Sequence, residues 1–385
     1  MPKLHHHGDR QPQAEHELGA FAREYARELR AVGVREVMAA QPTNRSQIAV
    51  GAGGLAYALA SLGERRDAAR ARRWLDLADR WHRDRTGSDD RYYAPGESLY
   101  YGPDGHLLLR LVLDGEIDAF AKTMEKRLRH FQREPAPELV LGQGGYVLGL
   151  LAAFQATKDA RLLGIANRMA KAVLAGLNGP QGWGRLPTLG MAHGRAGILY
   201  VLLTWFWVRR RAVEPALLRQ LGRLWARVKQ TRNWGVLPQF PTLQHSWCNG
   251  AAGHALLWVR AFEATGRPEY LQRARIAGRA LSFLTPRLTN GGACCGAVGV
   301  GFGLLAIDRV DPGRGWHALA VRAAHKALTL LLRTGELPCG LLSGYPGLFM
   351  LVQDLLAQPS ERLGFPWLEL SSAVRPEVPP RRRAR

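Results

Sequence analysis

The sequence predicts an all-α protein, an α/α toroid in which seven helix-hairpin repeats surround a common axis. Three observations support this fold class. A Gly-x-x-Gly motif followed by an apolar run occurs seven times, charged amphipathic segments separate the copies, and signals for β-strands are few. Each repeat is therefore expected to contain an apolar inner helix and an amphipathic outer helix.

The Gly-x-x-Gly copies begin 40 to 56 residues apart, a spacing that suits two helices and their loops. A single copy would carry no information, but seven at a similar spacing, each opening an apolar run, indicate a repeat. The copies are Gly51–Gly54, Gly102–Gly105, Gly142–Gly145, Gly194–Gly197, Gly250–Gly253, Gly296–Gly299 and Gly344–Gly347.

The segments between these copies mix apolar residues with arginines at helical spacing, which predicts outer helices with one solvated face. The predicted outer helices are Arg66–Arg83, Asp118–Arg133, Ala160–Leu177, Pro215–Gln230, Tyr270–Leu284 and Trp316–Leu332. Two short pieces, 183–187 and 234–238, are interpreted as loops or brief strands.

The repeats are expected to close into a ring. The inner segments are apolar on nearly all faces, which requires burial on every side. An open solenoid would need polar repeats at its ends, and the first and last copies resemble the others. We therefore predict one toroid domain over residues 18–372, with a disordered tail at 1–17 and a disordered basic tail at 373–385.

The 385 residues carry a formal charge of +21, which favours anionic partners such as an acidic peptide, nucleic acid or a membrane face. General arginine bias on solvated faces would also explain the charge. No RNA-recognition or helix-turn-helix pattern is present, so no nucleic-acid partner is expected.

The longest apolar stretch, 196–208, has 13 residues, too few to cross a bilayer. Four cysteines do not form a disulfide framework, which favours the reducing cytoplasm.

Three of the four cysteines lie at the same place in the repeat. Cys248 is two residues before Gly250, and Cys294 and Cys295 directly precede Gly296. In a toroid all inner helices begin at one pole, so these thiols are expected to meet there. Thiolates suit Zn²⁺, and three protein ligands leave a fourth position open for a substrate. The alternative is that the three are small buried apolar residues, as Cys339, which is out of register, is expected to be.

Histidines also lie near the predicted pole. His193 directly precedes Gly194 and is interpreted as a fourth metal ligand, an acid/base group or a satisfied core histidine. His245, three residues before Cys248, is a candidate to orient the cysteines from behind. His106 and His254 share a register one residue after their second glycine and are weaker candidates to face the pore.

The segments GMAHGRAG, SWCNGAAG and CCGAVG resemble the His-Gly, Trp-Cys-x-Gly and Cys-(His/Cys)-Gly motifs of lanthionine synthetase C-like proteins. The C-terminal GYPGLFMLVQDLL is also similar to that family's closing segment. This resemblance implies a toroid with zinc held by Cys248, Cys294 and Cys295, the three-cysteine variant of the family's site. It implies an acid/base role for His193. Glu138 stands where the family has a functional aspartate, and Gln244 stands where an arginine is frequent.

The resemblance further implies a zinc-dependent lanthipeptide cyclase. Such an enzyme adds peptide cysteine thiols to dehydroalanine or dehydrobutyrine and forms thioether rings. Its expected substrate is a dehydrated precursor peptide supplied by a separate dehydratase, and the chain is expected to act as a monomer.

Two other functional classes are the alternatives. Some relatives of the family bind thiols such as glutathione, or act as adaptors, without cyclising peptides. A toroidal glycosidase would need two carboxylates in the pore, where only Asp104 and Glu138 lie near repeat starts.

Overall fold

The computed structural model describes residues 11–40, 47, 49, 51–84, 98–178, 188–231, 234–235, 244–333 and 339–366. The helices before the middle of the chain are α1 (Gln11–Ala31), α2 (Val34–Ala40), α3 (Ala52–Ala60), α4 (Arg65–Arg83), α5 (Asp104–Asp114), α6 (Ile117–Arg133), α7 (Gln143–Thr157) and α8 (Ala160–Asn178). Those that follow are α9 (Arg195–Val208), α10 (Pro215–Thr231), α11 (Ala251–Thr265), α12 (Pro268–Leu284), α13 (Ala297–Val310), α14 (Trp316–Leu332) and α15 (Tyr345–Leu356).

Helices dominate the described residues, and their strand-like pairing is limited to one isolated bridge between Thr188 and Gly194. The predicted all-α class is therefore confirmed. None of the described helices combines the length and the apolar character needed to cross a bilayer.

Seven inner helices form a closed ring. The helices that follow the Gly-x-x-Gly starts, α3, α5, α7, α9, α11, α13 and α15, pack side by side in chain order, and α15 packs back against α3. Their apolar character on all faces follows from this packing, which buries the inner helices on every side. In α9, for example, every residue from Ala196 to Phe206 is buried. The toroid is confirmed, and the open solenoid is excluded because the ends of the row touch.

The outer layer agrees with the predicted segments to within two residues at each boundary. From α3 to α14, each inner helix packs against the outer helix that follows it. The seventh inner helix, α15, is covered differently, because the N-terminal helix α1 packs against α14, α15 and α3. The seventh pair therefore joins the two ends of the described chain, instead of being a hairpin of consecutive helices.

Helix α1 corrects the predicted N-terminal tail. The helix begins at Gln11, so residues 11–17 belong to it, and Glu17 accepts a hydrogen bond from His325 on α14 at 2.7 Å. Nearer the other end of α1, Arg30 forms a bidentate ion pair with the buried Asp67 on α4, at 2.8 and 2.7 Å. The predicted tail residues 1–10 and 373–385 lie outside the described residues.

The second glycine of the repeated motif is required by close backbone approach. A Cβ atom at Gly253 would lie 2.2 Å from the carbonyl oxygen of Trp247, and one at Gly299 would lie 2.2 Å from that of Ala293. The same contact recurs at 2.0 Å for Gly197. In each case the loop before the inner helix folds back over the first helical turn, where no side chain larger than hydrogen fits.

A belt of hydrogen bonds connects the seven loops that precede the inner helices. Its members are the residues two positions before each first glycine, namely Ala49, Tyr100, Val140, Ala192, Cys248, Cys294 and Leu342. For six of the seven, the backbone N–H donates to the carbonyl oxygen of the next member at 2.8 to 3.2 Å. At the remaining step the Tyr100 N–H donates to the Ser98 hydroxyl, which in turn donates to the Val140 carbonyl at 2.6 Å. The belt holds one pole of the ring in fixed register.

Candidate functional site

The three predicted cysteines meet at the pole defined by the belt. The Sγ atoms of Cys248, Cys294 and Cys295 all lie within 4.8 Å of one another. The Cys248 and Cys295 sulfurs are 3.4 Å apart, and those of Cys294 and Cys295 are 3.5 Å apart. Cys248 and Cys294 are successive members of the belt, because the Cys248 N–H donates to the Cys294 carbonyl at 3.2 Å. Residues distant in sequence are thus brought together by the closure of the ring.

This donor set fits a zinc ion. A tetrahedral Zn²⁺ with bonds of about 2.3 Å to sulfur places its thiolate ligands about 3.8 Å apart. The observed separations of 3.4 and 3.5 Å are close to that value, and all three cysteines are free of disulfides. Three ligands leave one tetrahedral position open. As whole residues the three cysteines are intermediate in exposure.

The cluster concentrates negative charge on one sulfur. Contacts from the Cys294 and Cys295 thiols, with smaller contributions from Ser246 and the charge of His193, hold the pKa of Cys248 well below its usual range. The interaction with Cys248 in turn raises the pKa of Cys294, and raises that of Cys295 to about 12. A divalent cation would lower the pKa of all three thiols, because it stabilises the three thiolates together.

Neighbouring polar groups hold the cysteine loops in place. The Ser246 hydroxyl lies 3.4 Å from the Cys248 sulfur and accepts the Asn249 N–H at 3.1 Å. His245 is buried, and its Nε2 contacts the Cys295 carbonyl at 3.0 Å. Burial lowers the pKa of His245, so the ring is neutral near pH 7 and donates its Nε2 proton. His245 thus contacts the backbone of the cluster, on the side away from solvent.

His193 and Glu138 form a pair beside the cluster. His193 Nδ1 lies 2.5 Å from Glu138 Oε2, and Glu138 Oε1 also accepts the Leu141 N–H. Partial burial lowers the pKa of His193, but the hydrogen bond and charge of Glu138, together with the charge of Cys248, outweigh this and raise it. With Nδ1 engaged by Glu138, the Nε2 atom of this half-exposed ring is available to a substrate.

The belt places this pair next to the thiols, because Ala192 donates its N–H to the Cys248 carbonyl at 2.9 Å. The residues that directly precede the first glycines differ in their exposure. His193, Cys295 and Ser343 reach the surface at least in part, whereas Tyr101 and Asn249 are buried. Val50 lies outside the described residues.

The other histidine candidates are structural. His254 is fully buried, with Nε2 3.1 Å from the Leu189 carbonyl oxygen and 2.9 Å from that of Trp234. Burial lowers its pKa to about 4, so the ring stays neutral and supports the loop before α9. His106 is also buried and pairs with Asp79 at 2.7 Å. Neither belongs to the cysteine cluster.

The remaining candidates also have structural partners. Asp104 accepts hydrogen bonds from Arg127 at 2.6 Å and Tyr146 at 2.8 Å, which argues against a free pore carboxylate of glycosidase type. Gln244 accepts the Trp234 N–H at 3.0 Å. Cys339 is buried beside α1, and burial raises its pKa to about 11, so it remains a thiol. Ser246 is the contact that the sequence analysis missed, since a serine beside a cysteine has no distinctive pattern.

Comparison with known proteins agrees with this geometry. The chain aligns with Glutathione S-transferase LANCL1 of Danio rerio at 27% identity over 209 residues, which are 49% of this chain and 47% of that protein. It thus spans about half the length of this curated relative. Among solved structures, nisin cyclase superposes with a TM-score of 0.61 over 94% of this chain and 98% of that one, at 14% identity. At that identity the likeness concerns the fold.

The family assignment rests on a match that covers most of the chain. The model of lanthionine synthetase C-like proteins matches residues 34–370, which include all seven inner helices, the three cysteines and the His193–Glu138 pair. The chain belongs to the lanthionine synthetase C-like family.

Proposed function

We propose that this protein is a zinc-dependent cyclase that adds peptide cysteine thiols to dehydroalanine or dehydrobutyrine and so forms lanthionine or methyllanthionine rings. The observation that carries the proposal is the convergence of three cysteine sulfurs beside the His193–Glu138 pair. The first group suits a metal that binds thiolates, and the second suits transfer of a proton. Both promote the addition of a thiol to a carbon–carbon double bond, which needs an ionised sulfur and a proton for the α-carbon.

Each group has a defined part in the addition. Cys248, Cys294 and Cys295 would hold the zinc, which when bound would lower the pKa of an incoming thiol. His193 Nε2 accepts the thiol proton and returns it to the α-carbon of the dehydro residue. One C–S bond forms, the C=C bond becomes a single bond, and the thiol proton ends on the α-carbon. No oxidant or reductant is consumed.

Glu138 and His245 act through other residues. Glu138 holds His193 Nδ1, which orients the ring and favours its protonated form. His245 positions the Cys295 backbone through the contact to its carbonyl oxygen. Both are positioning residues in this proposal. The substrate would be a dehydrated precursor peptide delivered by a separate dehydratase, in the reducing cytoplasm where free cysteines persist.

A second candidate uses the same site. The relative from Danio rerio is named a glutathione S-transferase, and glutathione is also a thiol whose addition to an electrophile needs an ionised sulfur. In that reading the site joins glutathione to a small or peptidic electrophile between two molecules. In the cyclase the thiol and the dehydro residue belong to one substrate peptide, whereas in the second candidate the thiol and the electrophile belong to two molecules.

One set of assays separates the two candidates. Purified protein is analysed for zinc and incubated with a dehydrated peptide that contains one cysteine, and in parallel with glutathione and a peptide that has a dehydroalanine but no cysteine. Ring closure leaves the mass unchanged and protects the thiol from alkylation, whereas glutathione addition increases the mass by one glutathione. Ring closure without glutathione addition supports the cyclase, and the reverse supports the second candidate.

Variants test the assigned residues. Cys248→Ala is expected to abolish both zinc binding and thiol addition, and full activity in this variant would refute the metal role. His193→Ala is expected to keep the zinc and lose addition, because it removes the proton-transfer group. Loss of the metal in that variant would make His193 a ligand instead. Cys339→Ala is the matched control and should retain both properties.

A further inference from the structure

Helix α10 carries a line of unpaired positive charge. Arg219, Arg223 and Arg227 follow one another at intervals of four residues, so they share one face of the helix, and all three are exposed. No Asp or Glu occurs from Pro215 to Thr231. Among the described residues, none of the three forms an ion pair with a carboxylate, although Arg227 contacts the amide of Gln230 at 3.0 Å. We call these three residues the arginine stripe.

Several arginines on other outer helices form ion pairs with carboxylates. On α8, Arg161 pairs with Asp118 at 2.8 Å, and Arg168 pairs with Glu125, both carboxylates lying on the neighbouring α6. On α12, Arg275 pairs with Asp311 at 2.6 Å. The three arginines of the stripe differ from these three in having no carboxylate partner among the described residues. Like charges at four-residue spacing repel one another, a cost that an anionic partner would remove.

The stripe leads towards the cysteine pole. Helix α9 begins beside His193, and α10 packs on α9 and returns after a short connection, so the C-terminal end of α10 lies at the pole side. Arg195, in the first turn of α9, provides the link. Helices α9 and α10 are in contact, and burial lowers the pKa of Arg195, with a further lowering by the charge of Arg227. Positive charge thus extends from the residue that follows Gly194 along the outer face of α10.

We propose that the arginine stripe binds an acidic segment of the substrate peptide, outside the part that forms rings. This inference rests on the proposed function, which supplies a peptide whose reacting thiol lies at the cysteine cluster. The nine residues from Arg219 to Arg227 span about 12 Å along the helix, the length of about four residues of extended peptide. An acidic segment with three carboxylates within four or five residues would match the stripe. A single exposed helix with no base-stacking partner between its arginines suits a peptide better than a nucleic acid.

The test measures binding apart from catalysis. The probe is a fluorescein-labelled ten-residue peptide with four Asp or Glu and no cysteine or dehydro residue, titrated with the full chain at low salt. The triple variant Arg219→Gln/Arg223→Gln/Arg227→Gln removes the stripe while keeping good helix formers. The matched control is Arg73→Gln/Arg80→Gln/Arg83→Gln, which removes three exposed charges from α4, three inner helices away around the ring.

We expect the α10 variant, and not the α4 variant, to lose affinity for the acidic peptide. Three surface charge contacts at about a factor of two each multiply to roughly tenfold weaker binding in the stripe variant. The α4 variant should bind like the wild type, and binding should weaken with added salt. Equal binding by the stripe variant, or equal weakening by both variants, would overturn the proposal. Tighter binding of a ten-nucleotide single strand than of the peptide would also overturn it, in favour of nucleic acid.

The kinetic arm separates this proposal from the proposed function. With a dehydrated peptide that carries the acidic segment, the stripe variant should raise KM about tenfold and leave kcat unchanged. If the wild-type protein closes no rings, the proposed function fails, but the binding comparison of the two triple variants still decides the stripe. If rings form and the stripe variant has an unchanged KM, the stripe proposal fails alone.

Discussion

Replacing Gly253 by alanine should destabilise the protein, although alanine ordinarily stabilises a helix. Gly253 lies in the first turn of α11, and an added Cβ would sit 2.2 Å from the Trp247 carbonyl oxygen and 2.6 Å from the Met191 Cβ. Ordinary van der Waals contact begins near 3.4 Å, so the loop must move by roughly 1 Å. Such overpacking costs about 1–3 kcal/mol, whereas the gain from replacing glycine in a helix is about 0.5–1 kcal/mol.

The net expectation for Gly253→Ala is a loss of about 1–2 kcal/mol in the free energy of unfolding. The matched control is Gly222→Ala on α10, where an added Cβ meets no heavy atom within 4 Å. That variant should instead gain about 0.5–1 kcal/mol. For a chain of this length the Gly253→Ala melting temperature should fall by about 1–3 °C, while that of the control rises by about 1 °C.

The same substitution should weaken the metal site. Trp247 and Cys248 both donate their N–H groups to the Cys294 carbonyl, so displacement of the Trp247 carbonyl disturbs the loop that carries Cys248 and its contact with the loop that carries the other two sulfurs. Zinc affinity, measured by competition with a chromogenic chelator, is expected to fall about tenfold in Gly253→Ala and to be unchanged in Gly222→Ala. If both variants melt higher than the wild type, the close-approach explanation of the repeated glycine is wrong.

Three further predictions concern other parts of the molecule. Glu138→Gln should lower the pKa of His193, followed by NMR of its Cε1–H, because the charge that favours the protonated ring is removed; an unchanged titration would contradict the pairing. Cys339→Ala should leave zinc at the wild-type stoichiometry, measured by elemental analysis, since this thiol is buried apart from the cluster and keeps its proton below its pKa of about 11. Asp67→Asn should destabilise the protein by about 2 kcal/mol in urea unfolding, because Arg30 loses its bidentate partner between α1 and α4, while Asp76→Asn, at an exposed carboxylate of α4, should change little.

Sequence patterns were sufficient to predict the positions of the helices and to identify the cysteines that lie at the pole. The arginine-bearing segments were located to within two residues, and each inner helix begins within two residues of its first glycine, because burial on all faces and burial on one face leave different periodicities. The register of Cys248, Cys294 and Cys295 with the glycine motif was visible as well, since a repeat places equivalent positions at equivalent heights.

A closed ring was predicted from the apolar inner segments, but the way in which its two ends meet was decided by tertiary structure alone. That α1 covers α15, and that residues 11–17 are helical in place of a tail, depends on a surface assembled from α14, α15 and α3, of which α3 lies more than 200 residues before the other two. The hydroxyl of Ser98, which completes the belt where the backbone bond between Tyr100 and Val140 is missing, left no pattern in the sequence. The contacts of His193 with Glu138 and of His245 with Cys295 likewise left no pattern in the sequence. Periodicity reports which face of a segment is buried, but contacts between segments depend on how the faces of the whole ring fit together.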